Sequence, residues 1–230
     1  MSIKSTKVDL KRFLERYPTR EFKKGEIIIF QGEEPTTAYV VLEGIVKAYN
    51  ISVEGNEKPV AFYGAHSIFP GPWLYGRSKI AAFYYEVFTP LAVLSVVPKE
   101  PFLEFIKSKP ELLYEELKRY VSDKLGQTMR VNALEYSKAS DKLLYTLHYL
   151  AVSYGRGTDP SHVELSLNLT HQDFANLTGL TRETAATELN KLKHQGIIDY
   201  GKHAPYIVNL KALIVLLHDQ YVSDMEENAP

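Results

Sequence analysis

The residues with the clearest chemical potential form the run Thr-Arg-Glu-Thr at positions 181–184. The guanidinium of Arg182 can donate two hydrogen bonds to O6 and N7 of guanine, and the carboxylate of Glu183 can accept one from N4 of cytosine. Thr187, one helical turn further on, can contact the methyl group of thymine. Arg182, Glu183 and Thr187 are therefore candidate base-reading residues. The alternative for Glu183 is that it only stabilises the positive N-terminus of a helix.

The residues around this run, 169–200, predict two short helices joined by a tight turn. Thr170 and Thr181 are good N-caps, and Gly179 permits the turn between the helices. Ala, Leu and Leu at positions 185, 189 and 192 give the second helix, residues 181–194, one buried face. Two strands at 197–200 and 206–208 fit a wing. The prediction is a winged helix-turn-helix that enters the major groove of DNA; the alternative is an ordinary helical hairpin.

Further polar side chains flank this motif and are candidates for contacts with DNA phosphates. They are Thr170, His171, Gln172, Lys191, Lys193 and Lys202. For each lysine the alternative is a solvated position without a DNA contact. Acidic residues balance the basic ones between positions 168 and 203, so binding would rest on local placement and on dimerisation rather than on bulk charge.

Composition narrows the class of protein. The chain has 230 residues, a net charge of −1 and 45% apolar residues, which suits two modest domains. Cysteine is absent, which excludes disulfides, zinc–thiolate sites and cysteine-ligated iron–sulfur clusters, and no metal site is predicted. The N-terminus lacks the apolar core of a signal peptide, and no apolar run approaches the roughly 20 residues of a membrane span. We therefore expect a cytoplasmic protein with no membrane partner.

The rest of the chain divides into a β-rich part and a helical part. Residues 20–98 alternate short β-branched or aromatic runs with turn residues, which predicts a small barrel or sandwich. Residues 110–136 carry apolar side chains three and four apart, which predicts a coiled-coil seam. Polar residues interrupt the middle of this seam, and a helix packed on its own β domain is the alternative. A short helix at 8–17, a hinge at 137–140 and a C-terminal helix at 210–225 complete the prediction.

Two β-rich runs resemble a known family. Phe-Lys-Lys-Gly-Glu-Ile-Ile-Ile-Phe-Gln-Gly-Glu-Glu at 22–34 and Ala-Tyr-Val-Val-Leu-Glu-Gly-Ile-Val-Lys at 38–47 are similar to the start of the sensor β-roll of CRP/FNR bacterial transcription regulators. The helix-turn-helix also resembles theirs. The resemblance implies an α+β fold with an N-terminal cyclic-nucleotide-binding-like β-roll (1–109), a long central dimerisation helix (110–137) and a C-terminal winged helix-turn-helix domain (138–230).

The same resemblance implies a function. The chain would be a sequence-specific DNA-binding transcriptional regulator that acts as a homodimer on a pseudo-palindromic site, with RNA polymerase as a partner. In the family an Arg-Glu pair reads a G·C step, and Arg182 and Glu183 match that pair. Many members carry a second arginine where this chain has Thr187, so the usual consensus half-site does not follow. Thr187 could instead contact a thymine methyl group or accept a shifted base.

The sensor region departs from the family members that bind cyclic nucleotides. Those members hold the nucleotide with a Gly-Glu-Leu turn and an Arg-Ser-Ala run, whereas this chain has Ile-Phe-Pro-Gly-Pro-Trp at 68–73 and Ala-Ala-Phe at 81–83. A run Arg-Ser-Lys at 77–79 lies upstream and would serve only after a shift in register. Binding of cAMP is therefore not predicted. A lone histidine in the roll, His66, is weak support for a haem ligand.

The sensor region is instead dense in aromatic residues. We predict a small-molecule effector of unknown type at the junction of the β-roll and the central helix. Its candidate contacts are Tyr63, Trp73, Tyr75, Tyr84, Tyr85, Lys124, Gln127 and Thr128. Adjacent Tyr84 and Tyr85 must point to opposite faces of a strand. The alternatives are that the aromatic residues only fill a core, and that the regulator has no effector.

Two other classes of function remain to be weighed. A ligand-binding regulatory module without DNA binding would show no salt-dependent association with duplex DNA. An enzyme is not predicted, since the chain has no Gly-Lys-Ser/Thr phosphate loop, no His-Glu-x-x-His and no Gly-x-Ser-x-Gly.

Overall fold

The computed structural model describes residues 3–201 and 204–217. Its helices are α1 (Ile3–Leu14), α2 (Gly71–Leu74), α3 (Lys99–Lys107), α4 (Pro110–Glu135), α5 (Ala139–Tyr154), α6 (His171–Thr178), α7 (Arg182–His194) and α8 (Leu210–Leu217). Its strands are β1 (Thr19–Lys23), β2 (Ile27–Ile29), β3 (Ala38–Glu43), β4 (Val46–Ile51), β5 (Glu57–Tyr63), β6 (Ile68–Phe69), β7 (Tyr84–Val87), β8 (Leu91–Val97), β9 (Gly155–Arg156), β10 (Val163–Leu165), β11 (Ile198–Asp199) and β12 (Ile207–Val208).

The chain forms two compact units, with the division inside α4 between Arg119 and Tyr120. The first unit contains two antiparallel four-stranded sheets, in the orders β1-β8-β3-β6 and β2-β7-β4-β5. Together they form the predicted β-roll. The three-part domain division at 109 and 137 stays a prediction.

Alternation along the strands explains how the roll acquires a core. In β4, Val46 and Ala48 point inward and are fully buried. The inner residues of β7 and β8, among them Tyr85 and Leu94, belong to the same buried cluster. A second cluster lies where α1 and α3 pack on the roll, and there Phe13 stacks on Phe105 with ring centroids 4.0 Å apart.

The outer face of β4 carries a charged network that is itself mostly covered. Lys47 is only 5% exposed and pairs with Glu57, and its ammonium lies 3.6 Å from Glu86. The hydroxyl of Tyr49 donates to Glu86 at 2.9 Å, while the Lys47 ammonium sits 4.4 Å from the centre of the Tyr49 ring. Burial and the bond to Glu86 raise the pKa of Tyr49. The buried Lys47 ammonium is thus paired with carboxylates, because a buried charge without a partner is costly.

The second unit contains the C-terminal half of α4, helices α5 to α8 and a small sheet in the order β11-β12-β10-β9. Helix α5 packs against α6, α7 and α8. Its inward side is mostly apolar, with Leu143, Leu147 and Leu150 fully buried. Strands β11 and β12 form the predicted wing, paired through Ile198 with Val208.

The element boundaries differ from the sequence prediction in instructive places. The first helix covers Ile3–Leu14 rather than 8–17. Strand β1 lies at the start of the predicted β-rich region, but its side chains are mostly charged or polar and exposed, so no apolar alternation marks its bounds. It is held instead by pairing with β8. The predicted helix at 210–225 is present as Leu210–Leu217, and its remaining part lies outside the described residues.

In the part of the chain that the structure describes, no helix is long and apolar enough to cross a membrane. The same residues contain no cluster of three or more acidic or histidine side chains placed to hold a metal ion.

Two glycines with the same backbone conformation give a matched test of the roll's packing. Gly44 and Gly25 both have a φ of +82°, which disfavours any side chain. A Cβ on Gly44 would lie 2.3 Å from the carbonyl oxygen of Leu91, whereas a Cβ on Gly25 would meet no atom within 4 Å. Both glycines therefore share the conformational cost, but only Gly44 adds a clash with backbone.

We expect Gly25→Ala to lower the free energy of unfolding by about 1 kcal/mol, and Gly44→Ala to lower it by at least about 2 kcal/mol more, as overpacking does. Urea titration followed by circular dichroism measures both values. Equal losses would show that the approach of Gly44 to Leu91 is not a constraint on the roll.

Candidate functional site

Helix α6 and the turn after it position α7, which is the second helix of the motif and its recognition helix. Thr170 caps α6 in a capping box, since its hydroxyl accepts from the amide of Asp173 at 3.2 Å and its own amide donates to the Asp173 carboxylate at 2.7 Å. Gly179 ends α6 with a φ of +70°. Thr181 then caps α7 by accepting from the amide of Thr184 at 3.1 Å. These caps confirm the predicted helix starts.

Burial fixes which side of α7 faces outward. Ala185, Leu189 and Leu192 are buried, as their spacing predicted. Glu183 and Thr187 lie on the opposite side, Arg182 lies at the N-terminus of the helix beside the buried stripe, and all three are exposed.

Arg182 and Glu183 open the first turn of α7. Within residues 3–201 and 204–217, neither side chain forms a hydrogen bond or an ion pair. Donor and acceptor are thus presented together at the end of the helix that would enter a groove first.

The predicted phosphate-binding residues differ in exposure, in hydrogen bonding and in charge. Gln172 is exposed, and its amide donates to Asn176 at 2.9 Å. The hydroxyl of Thr170 donates to the Asp173 carboxylate at 2.7 Å, so its proton is committed within the capping box. Burial, followed by the charge of Arg182, lowers the pKa of His171. The shift favours the neutral imidazole, which offers a ring N–H rather than a charge.

The lysines of this group are already paired. Lys191 contacts the carboxylate of Glu188 at 2.6 Å, one turn back along α7. Lys193 contacts Asp199 at 2.8 Å and donates to the backbone oxygen of Tyr200. Lys202 lies outside the described residues. A phosphate contact by Lys191 or Lys193 would therefore compete with an existing surface ion pair, which costs little to exchange.

Aromatic stacking attaches the wing to the helix-turn-helix. Tyr200 stacks on Tyr206 with centroids 4.6 Å apart, and Tyr206 contacts Phe174 of α6 at 5.0 Å. The rings of His171 and Tyr200 are nearly perpendicular, with centroids 5.6 Å apart. The hydroxyl of Tyr200 donates to the side-chain oxygen of Asn190 on α7 at 2.7 Å. Sequence reasoning assigns Tyr200 no role, because this contact exists only once the wing has folded back onto α7.

The central helix also contacts the helix-turn-helix. A Cβ on Gly126 of α4 would lie 3.1 Å from the Tyr149 ring of α5, so the glycine permits a close approach. Arg130, further along α4, donates to the backbone oxygen of Leu177 near the C-terminus of α6 at 3.3 Å. Burial lowers the pKa of Arg130. A cation at that end of α6 is also favoured by the helix dipole.

The predicted effector residues of the roll lie in three separate environments. Tyr63 and Tyr85 face the interior, where the Tyr85 ring stacks on Phe69 with centroids 5.0 Å apart. Tyr84 points to the outer face and stacks on Tyr49 at 5.3 Å, which confirms that Tyr84 and Tyr85 face opposite sides. Burial, with the Tyr63 hydroxyl beside it, raises the pKa of Tyr85.

Trp73 and Tyr75 do not join that group. Trp73 is buried with α1 and α3, and Lys99 donates to its backbone oxygen at 2.9 Å. Tyr75 is 48% exposed. The five aromatic residues thus do not line one pocket of the first unit.

The polar members of the predicted effector set lie on α4. Lys124 and Thr128 are exposed and Gln127 is half-buried. The hydroxyl of Thr128 donates to the backbone oxygen of Lys124 at 2.9 Å, the bond expected of a threonine within a helix. Their role in binding an effector stays a prediction.

Aromatic rings fill the interior of the roll. Tyr39 stacks on Phe69 at 5.5 Å, and Tyr63 contacts Phe69 and Tyr85 at 5.5 and 5.8 Å. A cavity of about 10 Å³ lies elsewhere in the unit, among residues that include Val40, Phe102 and Glu116. That volume is enough for about one water molecule.

Two family models match the chain and fit these two units. A cyclic nucleotide-binding domain model matches residues 19–109, and a Crp-like helix-turn-helix domain model matches residues 141–216. The chain belongs to the CRP/FNR family of transcription regulators. The helix-turn-helix of this CRP/FNR protein is its DNA-binding element, as the match to the Crp-like helix-turn-helix domain indicates.

Relatives agree with this assignment, and solved structures share the fold. The global nitrogen regulator of Synechococcus elongatus is 28% identical over 84% of this chain and 86% of its own length. The fumarate and nitrate reduction regulatory protein of Salmonella typhi is 26% identical over 86% and 77%. A CRP/FNR-family regulator of Thermus thermophilus superposes with a TM-score of 0.65 at 24% identity, covering 88% of this chain and all of that one. The c-di-GMP responsive regulator of Xanthomonas campestris gives 0.69 at 20% identity, covering 88% and 99%.

Proposed function

We propose that this CRP/FNR protein reads a specific DNA sequence with the N-terminal turns of α7, through Arg182, Glu183 and Thr187. The observation that supports this most directly is the exposed, uncommitted pair of Arg182 and Glu183 in the first turn of α7, a helix held in place by its buried stripe. Arg182 donates to guanine and Glu183 accepts from cytosine, which selects a G·C step. Thr187 is too short for a second guanine contact and contacts a thymine methyl group instead.

The protein acts as a homodimer through α4. A seam of side chains alternately four and three residues apart runs along this helix. Its apolar members are exposed in the single chain and are Leu113, Leu117, Tyr120, Val131 and Leu134. The polar middle of the seam is Lys124 and Gln127. A second copy covers such a seam by coiled-coil packing. The two recognition helices then lie about 34 Å apart on a pseudo-palindromic site, from which the dimer acts on RNA polymerase in the cytoplasm.

The effector is a small molecule other than cAMP. Helix α2 stands where the family's nucleotide-binding turn lies, and Pro72 at its second position has no N–H to donate to a phosphate. Ala81, buried in the roll core, stands where the Arg-Ser-Ala run would begin. The aromatic filling of the interior favours a second candidate function, a regulator that works without any effector.

A selection of genomic fragments by the purified protein tests the proposed function. Recovery of a palindrome, with affinity that falls steeply as salt rises, is the expected result, because phosphate contacts release bound counterions. Binding of equal strength to all duplexes would contradict sequence-specific reading.

Arg182→Ala should lower the affinity for the selected site by about 1–3 kcal/mol, the worth of one bidentate base contact. Its affinity for random duplex should fall far less. Fluorescence anisotropy on both duplexes measures the two losses. Arg182→Lys is the control, because it keeps the charge but not the bidentate geometry. Arg182→Lys should retain the affinity for random duplex and lose the preference for guanine. Equal losses of affinity for both duplexes in Arg182→Ala would refute base reading by Arg182.

Leu117→Glu should convert the dimer into a monomer, because it places like charges opposite each other in the seam. Light scattering gives the mass directly. Val152→Glu on α5 is the matched control, since Val152 is exposed to a similar extent, 55% against 53% for Leu117, but lies off the seam. An unchanged mass for Leu117→Glu would rule out α4 as the dimer interface.

Added cAMP at millimolar concentration should neither release heat on titration nor raise the melting temperature, because the chain lacks the phosphate-binding groups described above. A ligand that binds only the folded state would raise the melting temperature. Saturable heat with a raised melting temperature would overturn this expectation.

A further inference from the structure

The wing contacts the recognition helix α7 through a hydrogen bond between Tyr200 and Asn190. Neither residue is among the base-reading residues proposed above. Asn190 is exposed on α7 and lies three residues after Thr187 and seven after Glu183. Positions 183, 186, 187 and 190 therefore share one side of the helix. Helices that read the major groove use the same spacing of i, i+3, i+4 and i+7. Asn190 thus extends the reading face by one turn beyond Thr187.

A hydrogen bond fixes the orientation of the Asn190 side chain. Its carbonyl oxygen accepts from the Tyr200 hydroxyl at 2.7 Å. The carbonyl side of the amide therefore points to the wing, and the NH₂ group, which carries two donors, points away from it.

Tyr200 is itself held on several sides. Its ring stacks on Tyr206, and the ammonium of Lys193 lies 4.7 Å from its centre. Its backbone amide donates to Asp199 at 2.8 Å, and its backbone oxygen accepts from Lys193. A hydroxyl fixed in this way orients Asn190 before any DNA arrives, which removes part of the entropic cost of binding.

We propose that Asn190 contacts DNA as an oriented donor and that Tyr200 is the positioning residue that orients it. This inference rests on the proposed function of α7. A free asparagine can pair with adenine through both its oxygen and its nitrogen. With its oxygen directed to Tyr200, Asn190 offers only N–H groups, which match the acceptors of DNA: O6 and N7 of guanine, N7 of adenine, O4 of thymine or a phosphate oxygen.

The test is a double-mutant cycle with Tyr200→Phe, Asn190→Ala and the two combined, on the full-length protein. Tyr200→Phe removes the hydroxyl but keeps the ring and its stacking. Each single variant should weaken binding to the selected site about 2- to 10-fold, the worth of one hydrogen bond. The combined variant should lose no more than Asn190→Ala alone, because the two residues act on one contact. Repeating the selection with each variant shows whether one base position loses its preference or all sequences weaken together, which separates a base acceptor from a phosphate.

The controls separate this contact from a fault in folding. Tyr136→Phe removes another hydroxyl bonded between side chains, to Tyr145 at 3.0 Å, in neither α7 nor the wing, and should bind DNA as the wild type does. Asn190→Asp keeps an acceptor for Tyr200 but has no donor, so it should bind at least as weakly as Asn190→Ala.

The outcomes that contradict the inference differ from those that contradict the proposed function. Wild-type affinity for Tyr200→Phe, or losses that multiply in the combined variant, would overturn the inference and leave base reading by Arg182 intact. A wild-type protein without a preferred site would overturn both.

Discussion

The packing of one side of α7 is the constraint on which the rest of the DNA-binding unit depends. Ala185, Leu189 and Leu192 are buried while α7 packs against α5 and α6. Rotation of the helix by one residue would move this stripe by about 100° and bury a charged side chain in its place, at a cost of several kcal/mol. The caps at Thr181 and Gly179 fix where α7 begins. Together these features determine which side chains meet the DNA.

Periodic features of the fold could be predicted from the sequence, and features that depend on distant contacts could not. The buried stripe of α7, the caps and the wing follow from local patterns, and the opposed directions of Tyr84 and Tyr85 follow from strand geometry. The bounds of strand β1 could not be read within the predicted β-rich region, because its stability comes from pairing with β8, about 70 residues away. The burial of Trp73 against α1 and the bond from Tyr200 to Asn190 likewise join segments whose meeting is set by the tertiary fold.

The β-roll has the fold of a cyclic nucleotide-binding domain, but aromatic side chains fill its interior. The sheet order and the cyclic-nucleotide-binding domain match place this roll within its family. Its centre is nevertheless occupied by Tyr39, Phe69, Tyr85 and Tyr63, stacked or tilted against one another. Aromatic rings bury large areas and lock each other's orientation. A shared fold therefore carries no information about the ligand, which depends on the side chains that line or fill the space.

The Lys47 network on the outer face of the roll has a consequence for how the sequence can diverge. Lys47 is covered, and it balances part of the charge of Glu57 and Glu86. Loss of Lys47 alone would leave two carboxylates with no cation between them, whereas loss of a carboxylate alone would leave a buried ammonium poorly paired. A protein that lacks one of Lys47, Glu57 and Glu86 should thus be less stable than one that keeps all three or one that has replaced all three. Among natural homologues these three positions should change together, so that intermediates with one member missing are rare in the lineage.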